Sequence, residues 1–421
     1  VAEVSAVTEI GSTILALREE TATTPKTIYR QAGDSYILLE YGENVLDLAL
    51  RLRVHQLMQM IRNANQDGIL ELSPGVRSLQ IKYDGLVISQ PQLIAHLLEL
   101  ESSMGDLSQL KIPSRIVHLP MAFEDSATLG AVERYQESVC AKAPWLPNNV
   151  DFIQRINGLD SCEQVRDIIF DANYLVLGLG DVYLTAPCAV PIDPRHRLLS
   201  SKYNPARTFT AEGTVGIGGM YMCIYGMDSP GGYQLVGRTL PIWNKFKQNK
   251  QFGDKQWFLQ FFDQIKFFPV TEAELNQWRT DFAHGVAQIQ IEETEFDFAS
   301  YTQFLQDEAE SIAAFKQQQQ HAFSAEVGRW KEEHSTQPEE IVQQQFEDFG
   351  DFLAVNASMT GNIWKIFVES GQEIKKGETV AIIEAMKMEL PVYATEDGIV
   401  KAVICRAGQT VHSGEPLVYM E

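Results

Sequence analysis

Positive charge is in short supply in this sequence: 34 Lys and Arg stand against 56 Asp and Glu, leaving a net charge of −22 over 421 residues. A protein that grips nucleic acid must neutralise phosphates, and this balance leaves little to do it with. Cysteine is scarce as well. The five residues Cys140, Cys162, Cys188, Cys223 and Cys405 are odd in number and scattered, with no Cys-x-x-Cys pair and no histidine cluster beside them. That pattern argues against a disulfide framework and against a metal site, and buried reduced thiols are the expectation. No apolar run approaches the roughly eighteen residues of a membrane span, and the N-terminus lacks a charged-then-apolar leader. A cytoplasmic chain without a membrane partner is therefore expected. The phosphate-cradling pattern Gly-x-x-x-x-Gly-Lys-[Ser/Thr] is also missing, because Gly213-Thr-Val-Gly-Ile-Gly-Gly219 has the wrong spacing and no lysine. Those glycines fit either close approach of backbone to a ligand or a tight barrel corner.

What is present is enough for two or three globular domains, with 45% apolar and 21% charged residues. The chain opens on Val1, and residues 1–28 have weak periodicity, as a linker or the end of a preceding domain would. A piece of a longer protein is expected. Residues 29–112 read as a small α+β domain. Tyr36-Ile-Leu-Leu-Glu-Tyr41 stops at Gly42 as a strand entering a turn, and Asn44 or Asp47 caps a helix with Leu46, Leu50, Val54, Leu57 and Ile61 on one stripe. Residues 113–245 are punctuated by glycine and proline between short β-forming runs, which suggests a β-barrel or sandwich with one helical stretch over residues 149–170.

Residues 246–334 read as a mostly helical connecting region with a Thr271-x-x-Glu274 capping box. Phe298, Tyr301, Leu305, Ile312, Phe315, Phe323 and Trp330 form an aromatic and aliphatic stripe there, broken by the polar run from Gln317 to Gln320. It is either a packing face or an arm that holds one domain against another. Residues 335–350 are rich in Gln and Glu and read as a flexible linker. The fold class is thus mixed α+β, mainly β.

The last seventy or so residues, 351–421, repeat. A shift of 37 positions carries Gly371 to Gly408, Gln372 to Gln409, Ile374 to Val411, Gly377 to Gly414, Glu378 to Glu415 and Glu384 to Glu421. Two copies of one β-unit facing each other give a flattened sandwich with approximate two-fold symmetry. Between the copies stands Glu384-Ala385-Met386-Lys387-Met388, a lysine at a hairpin tip flanked by adaptable methionines, where a modifying enzyme can reach its amine.

That pentapeptide, placed between pseudo-symmetric halves, resembles the attachment motif of biotin carboxyl carrier domains. The resemblance implies biotin linked covalently to Lys387 by biotin protein ligase. Elsewhere, Ser114-Arg-Ile-Val-His-Leu-Pro120, Tyr174-Leu-Val-Leu-Gly-Leu-Gly-Asp-Val-Tyr183, Pro191-Ile-Asp-Pro-Arg-His-Arg197, Tyr203-Asn-Pro-Ala-Arg207 and Pro230-Gly-Gly-Tyr-Gln234 resemble the urea carboxylase family. The similarity runs from about Tyr29 to Glu421. It implies a cyclophilin-like β-barrel in residues 113–245 and half of a carboxyltransferase. That half would move the carboxyl group of carboxybiotin to a urea nitrogen, giving allophanate.

It also implies partners beyond this chain: the second half of the transferase, and a biotin carboxylase domain that uses ATP, Mg and bicarbonate. Guanidine, close to urea in size and shape, is the competing acceptor. A carrier and scaffold without catalytic groups is the competing role, and a homo-oligomer stays open.

The transfer step needs a base for the urea nitrogen and donors for developing charge. In the matching segments Asp171, Asp181 and Tyr183 are the candidates for proton or hydrogen-bond work, and Asn204, Arg207 and Gln234 for orienting urea or a carboxylate. Arg207 has the fork geometry for a bidentate carboxylate contact. Each has a structural alternative: a turn at Asp181, a turn before Pro205 for Asn204, and a pair with Glu212 for Arg207. His118 and His196 are weaker candidates.

Overall fold

The computed structural model describes residues 13–21, 24–180, 186–244, 249–335, 352–385, 388–407 and 409–421. They divide into two compact units, Val1–Glu326 and Val327–Glu421.

The first unit begins with five antiparallel strands: β1 (Ile14–Arg18), β2 (Thr27–Gln31), β3 (Tyr36–Tyr41), β4 (Ile69–Pro74) and β5 (Ser78–Tyr83), ordered β1-β2-β3-β5-β4. The first of these lies inside residues 1–28, the stretch read from sequence as linker, and it pairs through Leu17 and Ile28. Strict alternation sets the inner face, with Ile37 opposite Ile81 and Leu39 opposite Leu79, all fully buried. Two helices, α1 (Leu48–Ala64) and α2 (Gln90–Ser103), cover that face. Asp47 caps α1 by accepting from the Ala49 amide at 2.8 Å. Leu50, Val54, Leu57 and Ile61 join the sheet core as the periodicity requires.

The opposite side of α1 is buried too. Leu48 and Leu52 pack with Leu175, Leu177, Val190 and Phe262 of the neighbouring barrel. A helix buried on two faces is held by both bodies it touches.

The barrel has seven strands: β6 (Lys111–Phe123), β7 (Asn173–Leu179), β8 (Pro187–Pro191), β10 (Thr214–Gly218), β11 (Tyr221–Ile224), β13 (Gln234–Arg238) and β14 (Gln264–Pro269), with the ribbon β9 (Arg207–Thr210) and β12 (Ser229–Gly231) beside it. The order β13-β10-β11-β8-β7-β14-β6 closes on itself where Gly237 meets Phe123 and Arg238 meets Ala122. Only glycine fits that seam, since a Cβ at position 237 would stand 2.4 Å from the Ala122 carbonyl oxygen. Gly216 and Gly218 are likewise packing requirements, because a Cβ at either would run into Tyr233 at 2.6–2.9 Å.

The seventh strand, β14, lies within residues 246–334, where sequence predicted mainly helix. So does β15 (Ile291–Asp297), which pairs along the outside of β6. Strand β14 pairs parallel to β6 and antiparallel to β7, a tertiary relation that local glycine density does not signal. Around the barrel stand α3 (Ser126–Ser138), α4 (Asn149–Asn157), α5 (Cys162–Asp171), α6 (Glu272–Ala283), α7 (Phe298–Asp307) and, as far as Glu326, α8 (Ala309–Ser335). The single helix expected over 149–170 is broken at Gly158, in the left-handed region at φ 66°. Thr271 and Glu274 form the expected capping box on α6. The glutamine run does not interrupt packing: Gln319 is 7% exposed and donates to Asn157 Oδ1 at 2.7 Å and to the Arg197 carbonyl at 2.9 Å.

The second unit is two four-stranded sheets. One is β16 (Leu353–Asn356), β23 (Pro416–Met420), β21 (Gly398–Val403), β18 (Glu373–Ile374); the other is β20 (Met388–Tyr393), β19 (Thr379–Ala385), β17 (Gly361–Ile366), β22 (Thr410–Val411), each given in spatial order. The 37-residue shift carries β17 onto β21, β18 onto β22 and β19 onto β23, so the two sheets have the same order. The repeated side chains do the same job twice. Gln372 accepts from the Glu369 amide and Gln409 from Arg406; Glu378 accepts from Lys375 and Glu415 from His412, all between 2.7 and 3.1 Å.

The small sheet holds a buried charge cluster. Glu101 on α2, with a fully buried side chain, accepts from Arg53 at 2.8 Å and from the Tyr41 hydroxyl, with Arg18 at 3.8 Å. Removing one member leaves another charged and unpaired in a dry site. Glu101→Gln is therefore expected to lower stability by about 3 kcal/mol. Pairing Glu101→Leu with Arg53→Met should recover much of that loss. Urea unfolding of both variants checks it.

Candidate functional site

The β19–β20 hairpin runs out to Ala385 opposite Met388, one rung past the last pairing with β17, at Asn362 and Glu384. Glu384 is half-buried on that last shared rung. Met386 and Lys387 lie outside the described residues. An attachment point joining strand ends that outrun their sheet suits a group that must be reached by other proteins.

In the first unit the ladder registers sort the remaining candidates by barrel end. Asp171 is exposed at the C-terminus of α5, two residues before β7 begins, and its carbonyl accepts from Lys266 Nζ at 2.6 Å. His196 is coupled to Asp171 and Asp193, and burial holds its pKa below the usual histidine value. Gln234 sits toward the same end, opposite Ile217 and near the β10–β11 turn, and is fully buried. Its Nε2 donates to the Ser201 carbonyl at 3.0 Å while its Oε1 has no partner among the described residues. Asn204 is exposed close by.

Arg207 is 1% exposed and fully engaged. Its fork donates to the Tyr233 carbonyl at 2.6 Å and to Thr210 Oγ1 and the Tyr225 hydroxyl at 3.3 Å, and it stacks 4.3 Å from the Tyr203 ring centroid. Glu212, the partner considered from sequence, instead pairs with Arg279 at 3.0 Å. In this geometry Arg207 ties β9 to the barrel. His118 pairs with Glu292 at 2.8 Å on the outer β6–β15 ribbon.

Asp181 and Tyr183 follow Gly180 in sequence and lie outside the described residues. Gly180 stands at the opposite end of β7, a strand length of roughly 20 Å from Asp171. The structure therefore does not gather Asp171 and Gln234 with the end of β7 that leads to Asp181.

At that second end lies a cavity of about 600 Å³, lined by Arg62, Leu179, Gly180, Lys255, Trp257, Gln260 and Phe261. The α1 helix supplies its charged wall. Arg51, His55 and Arg62 share one stripe of α1, and Arg51 is 0% exposed. The Arg51 Nε donates to the Leu177 carbonyl at 2.8 Å, and the guanidinium lies over Phe261 and Phe262 at 5.5 and 5.0 Å. Both terminal nitrogens are buried without a partner among the described residues. His55 packs edge-on against Phe262 at 4.8 Å. Burial, with Arg51 and Arg62 nearby, pushes its pKa down to about 4.

Sequence reasoning missed Arg51, Arg62, Lys255, Trp257 and Gln260. The available signal was the positive charge of α1, with Arg51, Arg53 and Arg62 in a chain otherwise short of it. No group of three or more metal-ligating side chains occurs among the described residues. No described helix is long and apolar enough to cross a membrane.

Residues 27–253 match the family described as carboxyltransferase domain, subdomain C and D. The chain belongs to that family. Residues 354–420 match the family described as biotin-requiring enzyme, so the carrier unit is built for biotin. A urea amidolyase from Lachancea kluyveri is 45% identical over 96% of this chain and 22% of its own length. One from Saccharomyces cerevisiae is 41% identical over 99% of the chain and 23% of its own. The crystal structure of Kluyveromyces lactis urea carboxylase matches with a TM-score of 0.71 and 40% identity, over 99% of this chain and 36% of that one. The chain thus spans less than a quarter of the length of these two urea amidolyases.

The depressed pKa of His55 has a measurable consequence. Above pH about 6.5 His55 is neutral folded and unfolded. Between there and pH about 4 the unfolded chain binds a proton that the folded chain cannot, so stability falls as pH falls. From pH 6.5 to 5 this costs on the order of 1 kcal/mol. The variant His55→Phe, which keeps the ring contact with Phe262, should lose less stability over that interval when both proteins are melted in parallel.

Proposed function

We propose that this chain is a portion of a biotin-dependent urea carboxylase, combining one part of the carboxyltransferase with the biotin carrier. The observation that carries the reading is the occurrence of both family matches in one chain with 45% identity to a urea amidolyase across 96% of it. Biotin is held on Lys387, with Glu384, Ala385, Met386 and Met388 as the context recognised by biotin protein ligase. The proposed domains are those read from sequence, with Ile14–Arg18 added to the small sheet and the barrel region extended to take in β14. A biotin carboxylase domain using ATP, Mg and bicarbonate, and the complementary half of the transferase, complete the enzyme, which works in the cytoplasm.

Bound biotin supplies a ureido nitrogen that holds a carboxyl group and gives it up to an acceptor. The task of this chain's residues is to orient the acceptor and move one proton from its nitrogen. Asp181 and Tyr183, which follow the β7 end nearest the cavity, are the proposed groups for that proton; Asp171, Asn204 and Gln234 belong to the other end of the barrel. The occupied fork of Arg207 supports a purely structural role for that residue. It also favours the second reading, in which this chain carries and braces while the catalytic groups sit on the complementary half.

Three measurements test the proposal. Co-expression with biotin protein ligase should raise the intact mass by one biotinyl group, and Lys387→Arg should abolish the gain. In the completed enzyme, urea should drive ATP turnover far better than guanidine, and a preference for guanidine would overturn the substrate assignment. Asp181→Asn should cut transfer at least a hundredfold while Asp171→Asn leaves it within about twofold. Unchanged transfer in both would establish the carrier and scaffold role.

A further inference from the structure

Helix α8 carries a seam that recurs at alternating steps of three and four: Ile312, Phe315, Gln319, Ala322 and Glu326, each buried or half-buried. A seam of that spacing is ordinarily apolar throughout. Ile312 and Phe315 conform, and Phe315 packs on the barrel core. The later turns do not, since Gln319 is 7% exposed and Glu326 only 2%. Gln319 reaches two acceptors, the Asn157 side chain and the Arg197 carbonyl, while Gln318 donates to the Gly158 carbonyl at 2.6 Å, at the break between α4 and α5. Glu326 accepts from Arg155 at 3.4 Å, and Arg155 also donates to the Pro144 carbonyl at 2.8 Å. Between these polar contacts the packing is close, because a Cβ at Gly158 would stand 2.9 Å from the Ala322 Cβ.

Burying polar groups is a poor route to stability, since leucine at position 319 would cover similar area without desolvating an amide. What a polar group at a seam position does supply is register. A slip of α8 by one turn, about 5.4 Å, would take Gln319 from both its acceptors and Glu326 from Arg155. Register matters most at the end of this clamp. Glu326 is the last residue of the first unit, and the chain that follows it leads to the carrier. We infer that Gln319 and Glu326 are positioning residues for carboxyl transfer, locking α8 so that the tether of the carrier starts from one fixed point on the barrel. A tethered group reacts at an effective concentration set by the length and stiffness of its tether. Freeing α8 would add the stretch from Ile312 to Glu326 to that tether and dilute the loaded lysine around its target. The inference rests on the urea carboxylase reading, in which Lys387 delivers to a transferase that this chain helps to build.

Comparing a tethered with an added carrier gives the test. The carrier unit closes its own core around Val355, Ile363, Val380, Ile383, Val400 and Leu417, and so serves as a separate biotinylated reagent. In the completed enzyme, the double variant Gln319→Leu with Glu326→Leu should lower kcat for allophanate formation by about threefold or more, the dilution expected of a longer tether, with the KM for urea unchanged. With the tethered carrier silenced by Lys387→Arg and excess biotinylated carrier unit added, the same double variant should match the enzyme that has Lys387→Arg alone. Ala322→Leu, which sets a branched side chain against Gly158, should reproduce that split while both polar groups stay in place. A full tethered rate in both variants, or an equal fall with the added carrier, would overturn the assignment; the second result would leave the clamp a support for the barrel and nothing more. An enzyme that carboxylates guanidine and ignores urea would sink the substrate reading alone, because the two carriers are then compared with guanidine as acceptor.

Discussion

Burial of α1 on two sides is the constraint from which the first unit takes its shape. Leu50, Val54, Leu57 and Ile61 face the five-stranded sheet, while Leu48 and Leu52 face barrel residues Leu175, Leu177 and Val190. A helix with a single apolar stripe would leave the sheet and the barrel as separate bodies. Spreading leucine round the helix leaves polar residues with nowhere to go, and Arg51, 0% exposed, is the outcome. A buried guanidinium is costly unless its donors are met. Here the Nε–H is met by Leu177, the plane is met by two phenylalanine rings, and both terminal nitrogens have no partner among the described residues.

Glycine works in the opposite direction in the barrel, by removing volume. Gly237 lets β13 close on β6, and Gly216 and Gly218 let Tyr233 lie against β10. Tyr233 in turn offers its carbonyl to Arg207, which stacks on Tyr203, whose hydroxyl bonds with Asn149 on α4. The motif residues in this part of the chain thus form a packing chain linking strand, ribbon and helix. Motif density is a poor guide to chemistry where closure of a barrel demands the same residue types that a ligand would.

The carrier unit was legible in the sequence because its constraint is local and occurs twice. A glutamine or glutamate that accepts from an amide three residues earlier fixes each turn, and the 37-residue shift reproduces both contacts. The core of the small sheet was legible for the same reason, since Ile37, Leu39, Leu79 and Ile81 alternate within their own strands. What sequence could not give was any relation carried by tertiary contact. Strand β14 looks like the start of a helical region until its parallel pairing with β6 is seen. Gln319 looks like a break in an apolar stripe until it is placed between Asn157 and Arg197. Arg62 on α1 and Lys255 in a loop are 193 positions apart in the chain, and nothing in either neighbourhood announces the cavity they share.

The separation of the barrel's two ends decides how the transferase residues should be grouped. Asp171 and His196 lie together where β7 begins, with Gln234 on a separate strand toward that end of the barrel, and Arg62, Lys255, Trp257 and Gln260 line the cavity where β7 ends. Acid–base work on one nitrogen needs groups within hydrogen-bond reach of a single atom, about 3 Å. A strand length of roughly 20 Å is far outside that reach. The two groups therefore cannot serve one transfer event. One end has a cavity lined by Trp257 and by Arg62 and Lys255, cations with no acidic partner among the described residues; the other end has a satisfied arginine, a buried glutamine and an exposed carboxylate. A carboxylate is stabilised where cations meet its charge, and among the described residues Arg62 and Lys255 stand at the end of β7 that α1 covers.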